Sequence, residues 1–477
     1  MRIFNGPSPT KETKDKCRQW WRQITVVVAL IGLAGCFSKP PPVGAIGHAE
    51  GNFGGVVSDE PRASLVARDM LSAGGTAADA AVALYFTLAV TYSPAASLGG
   101  GGVCVVHDSL TRKVEVIDFR TGLIPRGTPV RKSIGIPGNP RGMFALHARY
   151  GRLRWQQLVF RAENMARFGT PVSRALANEL SRGGKMFKTK SGGVLKEGDN
   201  LRQVELAAAL GLIRAKGAGE FYTGLLAKKF AAGAAAIGAQ FDIADLRGYR
   251  PVWRKTVTGT FGNHTVHFPP APVSGGMIAA HIWNKLKEEG GYDSSSDEAR
   301  AQSLKTAYET AIRAILKQDA RKSNFRSDYG VTSFATIDRA GGAVACSVTA
   351  NRRFGVQRTI PGTGILAART PVIADGAVSL APMLIVNSHS GNGYFAAAVS
   401  GNAVAPGALI SVALRVLLDD KPAKEALAAP RFKAAGVNAA DGRVNLIYCA
   451  DGMPNEPKSC SYSVDPGGHG YAASGGN

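Results

Sequence analysis

Residues 328–351 read DYGVTSFATIDRAGGAVACSVTAN, a pattern that predicts a β-hairpin. Two runs of small, apolar and β-branched residues flank the segment DRAGG, whose glycines suit a tight turn. The first strand opens with Thr332, and the second ends at Asn351. Thr332 is therefore either an ordinary β-branched strand residue or a hydroxyl group at a point where a new chain could begin.

The segments around this hairpin alternate between helical and strand patterns. Helical spacing runs from Glu60 to Ala89 with a break at glycines, and it returns over 142–235 and 276–322. Strand patterns precede and follow these helical stretches, and the last residues are expected to form an irregular tail. Strands at both ends with helices between them predict an α+β body in which helices cover sheets.

Composition and charge limit the functional classes. The chain has 477 residues, of which 45% are hydrophobic and 19% charged, as is typical of a globular protein. Its formal net charge is +22, but the basic residues are scattered, whereas a phosphate backbone requires clusters of Lys and Arg. We therefore expect no nucleic-acid partner.

The first 36 residues predict export. Basic residues precede the apolar run ITVVVALIGLAG, which is too short to span a bilayer as a mature helix. The run ends in Leu33-Ala34-Gly35-Cys36, which resembles a bacterial lipobox, so residues 1–36 are predicted to be a lipoprotein signal with Cys36 as the lipidated residue. Residues 37–47 would be a tether that holds the protein on the periplasmic side of a membrane. The alternative is an ordinary cleavable signal that happens to contain a cysteine.

Four further cysteines remain after Cys17 and Cys36. Cys449 and Cys460 flank a polar loop and are predicted to form a disulfide in an oxidising compartment. Cys104 and Cys346 lie within apolar strands and are expected to be small core residues. The sequence has no CxxC motif and no histidine cluster, so no metal site is expected.

Residues 73–106 read AGGTAADAAVALYFTLAVTYSPAASLGGGGVCVV and resemble the gamma-glutamyltransferase (gamma-glutamyl transpeptidase) family. Further motifs of that family follow in the same order, among them IDFR at 117–120, GIPGNPRGMFALHARYG at 135–151 and PGTGIL at 361–366. The resemblance extends from about residue 45 to residue 432.

The resemblance implies an N-terminal-nucleophile hydrolase-like fold, an αββα four-layer sandwich. In this family a precursor cuts itself, which would divide the chain into a large-subunit-like region, 48–330, and a small-subunit-like region, 331–477, that stay together as one compact domain. The new terminal threonine then attacks a γ-glutamyl amide, with its own α-amine as the base. No cofactor is implied.

The resemblance also raises a question of register. In the family pattern the nucleophilic threonine stands seven positions before an aspartate, and counting back from Asp338 gives Val331. In one interpretation the strand slips by one residue and Thr332 acts as the nucleophile. In the other the register holds, and the chain is an uncut, inactive relative. A one-residue shift turns a strand side chain to the opposite face, although a bulge at the first residue can absorb it.

Other site residues are carried over from the family motifs. Thr349 matches the threonine that hydrogen-bonds the nucleophile, and the substrate-binding positions correspond to Arg120, Asn351, Gly401 and Asn402. The family's serine pair that binds the glutamyl carboxylate is replaced by Ala381-Pro382, which weakens the expectation of glutathione recognition.

Three functional hypotheses follow. The first is an exported, lipid-anchored gamma-glutamyltransferase-family amidase that acts through Thr332 on a small γ-glutamyl or related acyl amide, with its two cleaved subunits associated. The second is an uncleaved, non-catalytic lipoprotein of the same fold that uses its cleft for binding. The third is an acylase on non-glutamyl amides.

Overall fold

The computed structural model describes residues 53–122, 134–183, 187–189, 191–239, 241–317, 330–371, 378–431, 433–434, 437–438 and 442–475. The predicted signal, Cys36 and the tether lie outside these residues.

In the described residues, two antiparallel sheets contain seven and six strands. In chain order the strands are β1 Gly54–Ser58, β2 Gly101–Asp108, β3 Lys113–Asp118, β4 Val252–Lys255, β5 Val257–Phe261, β6 His264–Phe268, β7 Val331–Asp338, β8 Ala343–Thr349, β9 Met383–Asn387, β10 Gly393–Ser400, β11 Arg443–Met453, β12 Cys460–Val464 and β13 Tyr471–Gly475. The first sheet has the order β13-β1-β7-β8-β2-β3-β4, and the second has the order β12-β11-β10-β9-β6-β5. The predicted hairpin is therefore the centre of the first sheet, as the adjacent strands β7 and β8.

Helices cover the outer face of each sheet. They are α1 Pro61–Ser72, α2 Ala77–Thr91, α3 Ser93–Ala96, α4 Asn139–Tyr150, α5 Trp155–Phe168, α6 Arg174–Ser181, α7 Val204–Lys216, α8 Glu220–Thr223, α9 Leu225–Ala236, α10 Ile243–Gly248, α11 Ser274–Trp283, α12 Asp297–Leu316, α13 Ala405–Leu417 and α14 Ala423–Ala428. A π-helical turn, Asn284–Glu288, continues α11, and a 3-10 turn, Pro457–Ser459, precedes β12. Short antiparallel pairs join Thr170–Pro171 to Asn200–Leu201, Thr359–Ile360 to Ile365–Leu366, and Lys433–Ala434 to Val437–Asn438.

Three hydrophobic layers hold this arrangement together. One cluster joins the first sheet to helices such as α2, and a second joins the other sheet to α11–α14. The third lies between the sheets and consists mainly of small and β-branched side chains such as Val105, Ala345 and Ala398. Strand side chains alternate between the two faces, so each sheet contributes to two layers. The result is the predicted αββα sandwich.

Helix α2 is buried at every position because it lies inside the first helical layer. Its N-terminus is fixed by a capping box, in which Thr76 accepts from the Asp79 backbone N–H and Asp79 accepts from the Thr76 N–H. The glycine run before β2 allows backbones to approach closely. A Cβ on Gly100 would lie 2.4 Å from the Thr349 carbonyl oxygen, and one on Gly101 would lie 2.2 Å from the Thr121 nitrogen. Gly100 therefore allows close packing of the backbone against the end of β8, and Gly101 allows it against the segment that follows β3.

Two sequence-based expectations are corrected by the fold. Cys104 and Cys346 are not separate core thiols, because they lie opposite each other on β2 and β8 and are joined by a disulfide. The expected irregular tail is wrong as well, since β11–β13 complete both sheets. A second disulfide joins Cys449 to Cys460 between β11 and β12. Among the described residues, no helix is both long and apolar enough to cross a bilayer.

Candidate active site

A cavity of about 340 Å³ lies at the first residue of β7. Strand ends and helix ends from both halves of the chain meet there, because β7 begins beside the loop that leads from β10 to α13. The residues that line it are Tyr92, Pro94, Ala95, Asn178, Glu179, Arg182, Gly330, Val331, Arg353, Gly401, Asn402, Arg443 and Gly467.

Val331 and Thr332 lie on opposite faces of β7. Val331 lines the cavity and pairs with Thr349 on β8, whereas Thr332 pairs with Val348, which belongs to the helix-side cluster. Thr332 is completely buried, and its hydroxyl donates to Asp59 Oδ2 at 2.9 Å. In this structure the strand period of two turns the Thr332 side chain away from the cavity, and its assignment as the nucleophile stays a prediction.

A buried polar network holds Thr332 in this orientation. Asp59 accepts through Oδ2 from the Thr332 hydroxyl and from the Ser333 N–H at 3.1 Å, and through Oδ1 from Asn445 Nδ2 at 3.0 Å. Asn445 Nδ2 also contacts the carbonyl and hydroxyl oxygens of Ser333, each at 3.0 Å. Asp59 is only 4% exposed, so these donors are what stabilises its carboxylate in the interior.

Thr349 contacts the peptide bond that precedes Val331. Its hydroxyl donates to the Gly330 carbonyl oxygen at 2.8 Å, and the Ala350 N–H donates to the same oxygen at 3.0 Å. The Asn351 N–H in turn donates to Thr349 Oγ1 at 2.8 Å. Two donors thus polarise the Gly330 carbonyl, but the side chain of the next residue, Val331, carries no hydroxyl group.

Asn351 and Gly401–Asn402 differ in their access to the cavity. Asn351 is not among the lining residues, and its Nδ2 donates to Thr121 Oγ1 at 2.7 Å and to the Arg369 carbonyl at 2.6 Å. Gly401 and Asn402 line the cavity, and Asn402 Oδ1 accepts from the Val404 N–H at 3.0 Å just before α13. Asn402 therefore orders the start of α13 on the cavity wall.

Arg120 lies outside the cavity lining. Its Nε and one terminal nitrogen bind the two oxygens of Asp118, both at 2.9 Å, and its other terminal nitrogen donates to the Pro272 carbonyl at 3.1 Å. In this structure the bidentate fork is therefore occupied by a protein carboxylate. The expected role in gripping a substrate carboxylate would require Arg120 to leave Asp118.

Instead, the structure places three other arginines at the cavity. Arg353 binds Glu179 with Nε to Oε2 at 2.8 Å, and Arg182 lies 3.9 Å from Glu179 Oε1. Arg443, at the start of β11, donates to the Tyr92 hydroxyl at 3.5 Å. Sequence reasoning missed all three. The adjacent pair Arg352-Arg353 directly after the TAN segment was the available signal, whereas nothing in the sequence brings Arg443 to Tyr92.

Two sheets face to face between helical layers, with a cavity at the first residue of a central strand, define the N-terminal-nucleophile hydrolase class of fold. A sequence model described as gamma-glutamyltranspeptidase matches residues 63–324, more than half of the chain. The chain belongs to the gamma-glutamyltranspeptidase family.

Individual relatives agree with this assignment. The chain is 29% identical over 429 residues to the glutathione hydrolase proenzyme of Escherichia coli strain K12, covering 74% of this chain and 72% of that one. It is 30% identical over 391 residues to the glutathione hydrolase proenzyme of Pseudomonas sp. strain A14, covering 68% and 67%. Among solved structures, the cephalosporin acylase of Bacillus halodurans superimposes with a TM-score of 0.74 at 18% identity, over 92% of this chain and 99% of that one. At that identity the likeness concerns the fold alone.

Proposed function

We propose that this chain is a ligand-binding member of the gamma-glutamyltranspeptidase family that does not form a threonyl acyl-enzyme. One observation carries the proposal: the side chain at the first residue of β7, where the cavity lies, is that of Val331, while the neighbouring hydroxyl of Thr332 faces the other way and donates to Asp59.

The chemistry of N-terminal nucleophiles explains why this position matters. In an N-terminal threonine hydrolase, attack on an amide uses the hydroxyl group of the first residue of a chain, with the α-amine of the same residue as its base. Val331 has no hydroxyl. Thr332 could face the cavity only if the start of β7 rearranged and the contact with Asp59 broke, and a slip of the whole strand would also turn Phe334 out of the helix-side core.

Features next to the cavity suit binding even without this nucleophile. The contact from Thr349 to Gly330 fixes the start of β7, and Asn402 fixes the start of α13. These contacts keep the cavity in a defined shape, which is what a preformed ligand site requires.

The second candidate is an amidase that acts through Thr332 on γ-glutamyl or acyl amides. Family membership favours it, because the curated relatives are glutathione hydrolase proenzymes. It requires self-cleavage before Thr332 and a rearranged first strand residue.

Intact-mass analysis of purified protein tests the two candidates. We expect one continuous polypeptide through residues 330–332 and no release of γ-glutamyl or acyl groups from an amide panel. Val331→Thr places a hydroxyl beside the polarised Gly330 carbonyl and is expected to produce some cleavage before position 331, whereas the matched control Val331→Ala stays intact. A wild-type chain cut before Thr332, with amide hydrolysis that Thr332→Ala abolishes, would establish the amidase instead.

We further propose that the protein is an exported lipoprotein held on the periplasmic side of a membrane through Cys36. Support comes from the Leu33-Ala34-Gly35-Cys36 segment and the apolar run before it. Labelling with a palmitate analogue in a bacterial host should mark the wild-type protein in the membrane fraction. Cys36→Ser should lose both the label and the membrane association; labelling that survives this change would refute the anchor.

A further inference from the structure

We propose that the cavity at the start of β7 binds the carboxylate group of a small organic monocarboxylic acid, with Arg443 as its main partner. This inference rests on the proposed binding function and specifies its ligand class. It is drawn from the charge, shape and hydrogen bonding of the cavity wall.

Arg443 differs from the other cavity arginines in its partners. Arg353 and Arg182 share the carboxylate of Glu179, which is 5% exposed. Among the described residues, the Arg443 guanidinium forms no ion pair within 4.0 Å. Its one hydrogen bond there is the long contact to the Tyr92 hydroxyl at 3.5 Å. A guanidinium has five N–H donors in a planar fork. Arg443 therefore has N–H groups left that can donate two hydrogen bonds to a carboxylate.

Tyr92 supplies a neutral donor beside this guanidinium. Burial raises the pKa of Tyr92 well above its usual value, more than the nearby Arg443 lowers it. The phenol therefore keeps its proton at neutral pH and can donate its O–H to a bound carboxylate. A carboxylate bound there would accept hydrogen bonds from the charged Arg443 and from the uncharged Tyr92 on the same wall.

The local charge balance favours a monoanion over a dianion. Arg182, Arg353 and Arg443 contribute three positive charges at the cavity, and Glu179 contributes one negative charge. Tyr92, and after it Asp59, raise the pKa of Arg443, and Asp59 does so from behind the wall without forming an ion pair with it. These five described side chains sum to +1, which one carboxylate neutralises, whereas a phosphate dianion would leave a buried excess of negative charge.

The remaining wall suits a short aliphatic chain. Val331, Pro94 and Ala95 present apolar surface to the cavity. Its volume of about 340 Å³ lies near the lower end of the range for small-molecule sites. A carboxylate bound by Arg443 would leave some apolar surface for a few methylene groups.

Calorimetry and thermal unfolding of the purified protein test the proposal with three probes: butyrate, inorganic phosphate and the neutral isostere butyramide. Butyrate is expected to bind and to raise the melting temperature in a concentration-dependent way, and butyramide is expected to do neither. Arg443→Gln should weaken butyrate binding about tenfold or more, with Arg443→Lys between it and the wild type. The control Arg339→Gln, an exposed residue in the turn between β7 and β8, should bind as the wild type does.

Several results would overturn the proposal. Equal binding of butyramide, tighter binding of phosphate than of butyrate, or unchanged affinity in Arg443→Gln each contradicts it, and so does a lack of any binding by the wild type. If Arg443→Gln does not fold, Arg443→Lys and the wild-type probe series still decide the matter. The outcome is separate from that of the proposed function, because a chain that cleaves itself and hydrolyses amides could still bind butyrate through Arg443, and an uncut chain could fail to bind it.

Discussion

The two faces of β7 at its first two residues serve different purposes. On one face Val331 closes a solvent-accessible cavity with arginines on its wall, and on the other Thr332 is sealed into a network around Asp59. The two residues are adjacent in sequence and similar in shape, yet in this structure only Val331 lines the cavity. In a buried strand, the face on which a side chain lies decides which groups it can contact, and its chemistry decides what it can do there.

The largest expected effect on stability comes from removing the Asp59 carboxylate, to which Thr332 donates. Asp59→Ala leaves the buried donors of Thr332 and Ser333 without their acceptor and removes one of the acceptors of Asn445. We expect the free energy of unfolding to fall by about 3–5 kcal/mol, measured by urea denaturation. The control Asp451→Ala, at an exposed strand position, should change it by less than about 0.5 kcal/mol. Similar losses in both variants would show that the network does not stabilise β7.

Acid should lower the free energy of unfolding through His267, which lies on β6 of the second sheet. His267 lies opposite Leu384 of the inter-sheet cluster, and burial, with a smaller effect of His107, lowers its pKa to about 4. Between about pH 6.5 and pH 4 the unfolded state binds a proton that the folded state does not, so stability falls as the pH falls through this window, by up to about 3 kcal/mol.

Urea denaturation at a series of pH values checks this expectation. His267→Asn should reduce the pH dependence between 6.5 and 4, while the exposed control His389→Asn should leave it as in the wild type. A dependence that His267→Asn does not reduce would assign the acid sensitivity to other groups.

An isosteric substitution at Thr332 tests how much its hydroxyl group contributes to stability. Thr332→Val removes the hydroxyl that donates to Asp59 and keeps the shape of the side chain. Because Asp59 then loses one of its donors in the interior, we expect the free energy of unfolding to fall by about 1–2 kcal/mol. Thermal and urea unfolding should report the change, and butyrate affinity should stay constant because Thr332 does not reach the cavity. Loss of butyrate binding would place Thr332 in the site after all.

The smallest effect on stability is expected from the reverse exchange. Val331→Thr adds a hydroxyl on the cavity side, where water can hydrate it, so unfolding should change by no more than about 1 kcal/mol. Urea denaturation of uncleaved protein measures it. A loss larger than that of Thr332→Val would reverse the comparison between the faces.

Much of the fold was predictable from the sequence. The hairpin of β7 and β8, the helix pair around the Gly74-Gly75 break and the layered α+β class all follow from periodicity and turn residues, which are local signals. The tail was misjudged because β11–β13 pair with distant strands. The Cys104–Cys346 disulfide was missed for the same reason, since 242 residues separate its cysteines.

The candidate site was predictable only in part. Motif order placed Thr349, Gly401 and Asn402 near the start of β7, and the structure brings them there. It does not bring Thr332 or Arg120 to the cavity, because Asp59 holds the one and Asp118 holds the other. Contacts of this kind depend on residues far apart in the chain, which a single sequence does not pair.

By itself, the sequence determined the order of strands and helices, the family, and the presence of valine where that family has its nucleophile. Only the tertiary structure decided which face Thr332 takes and which arginines reach the cavity. The reason is physical: periodicity specifies alternation along a strand, but the direction of the alternation is set by pairing and burial against distant elements.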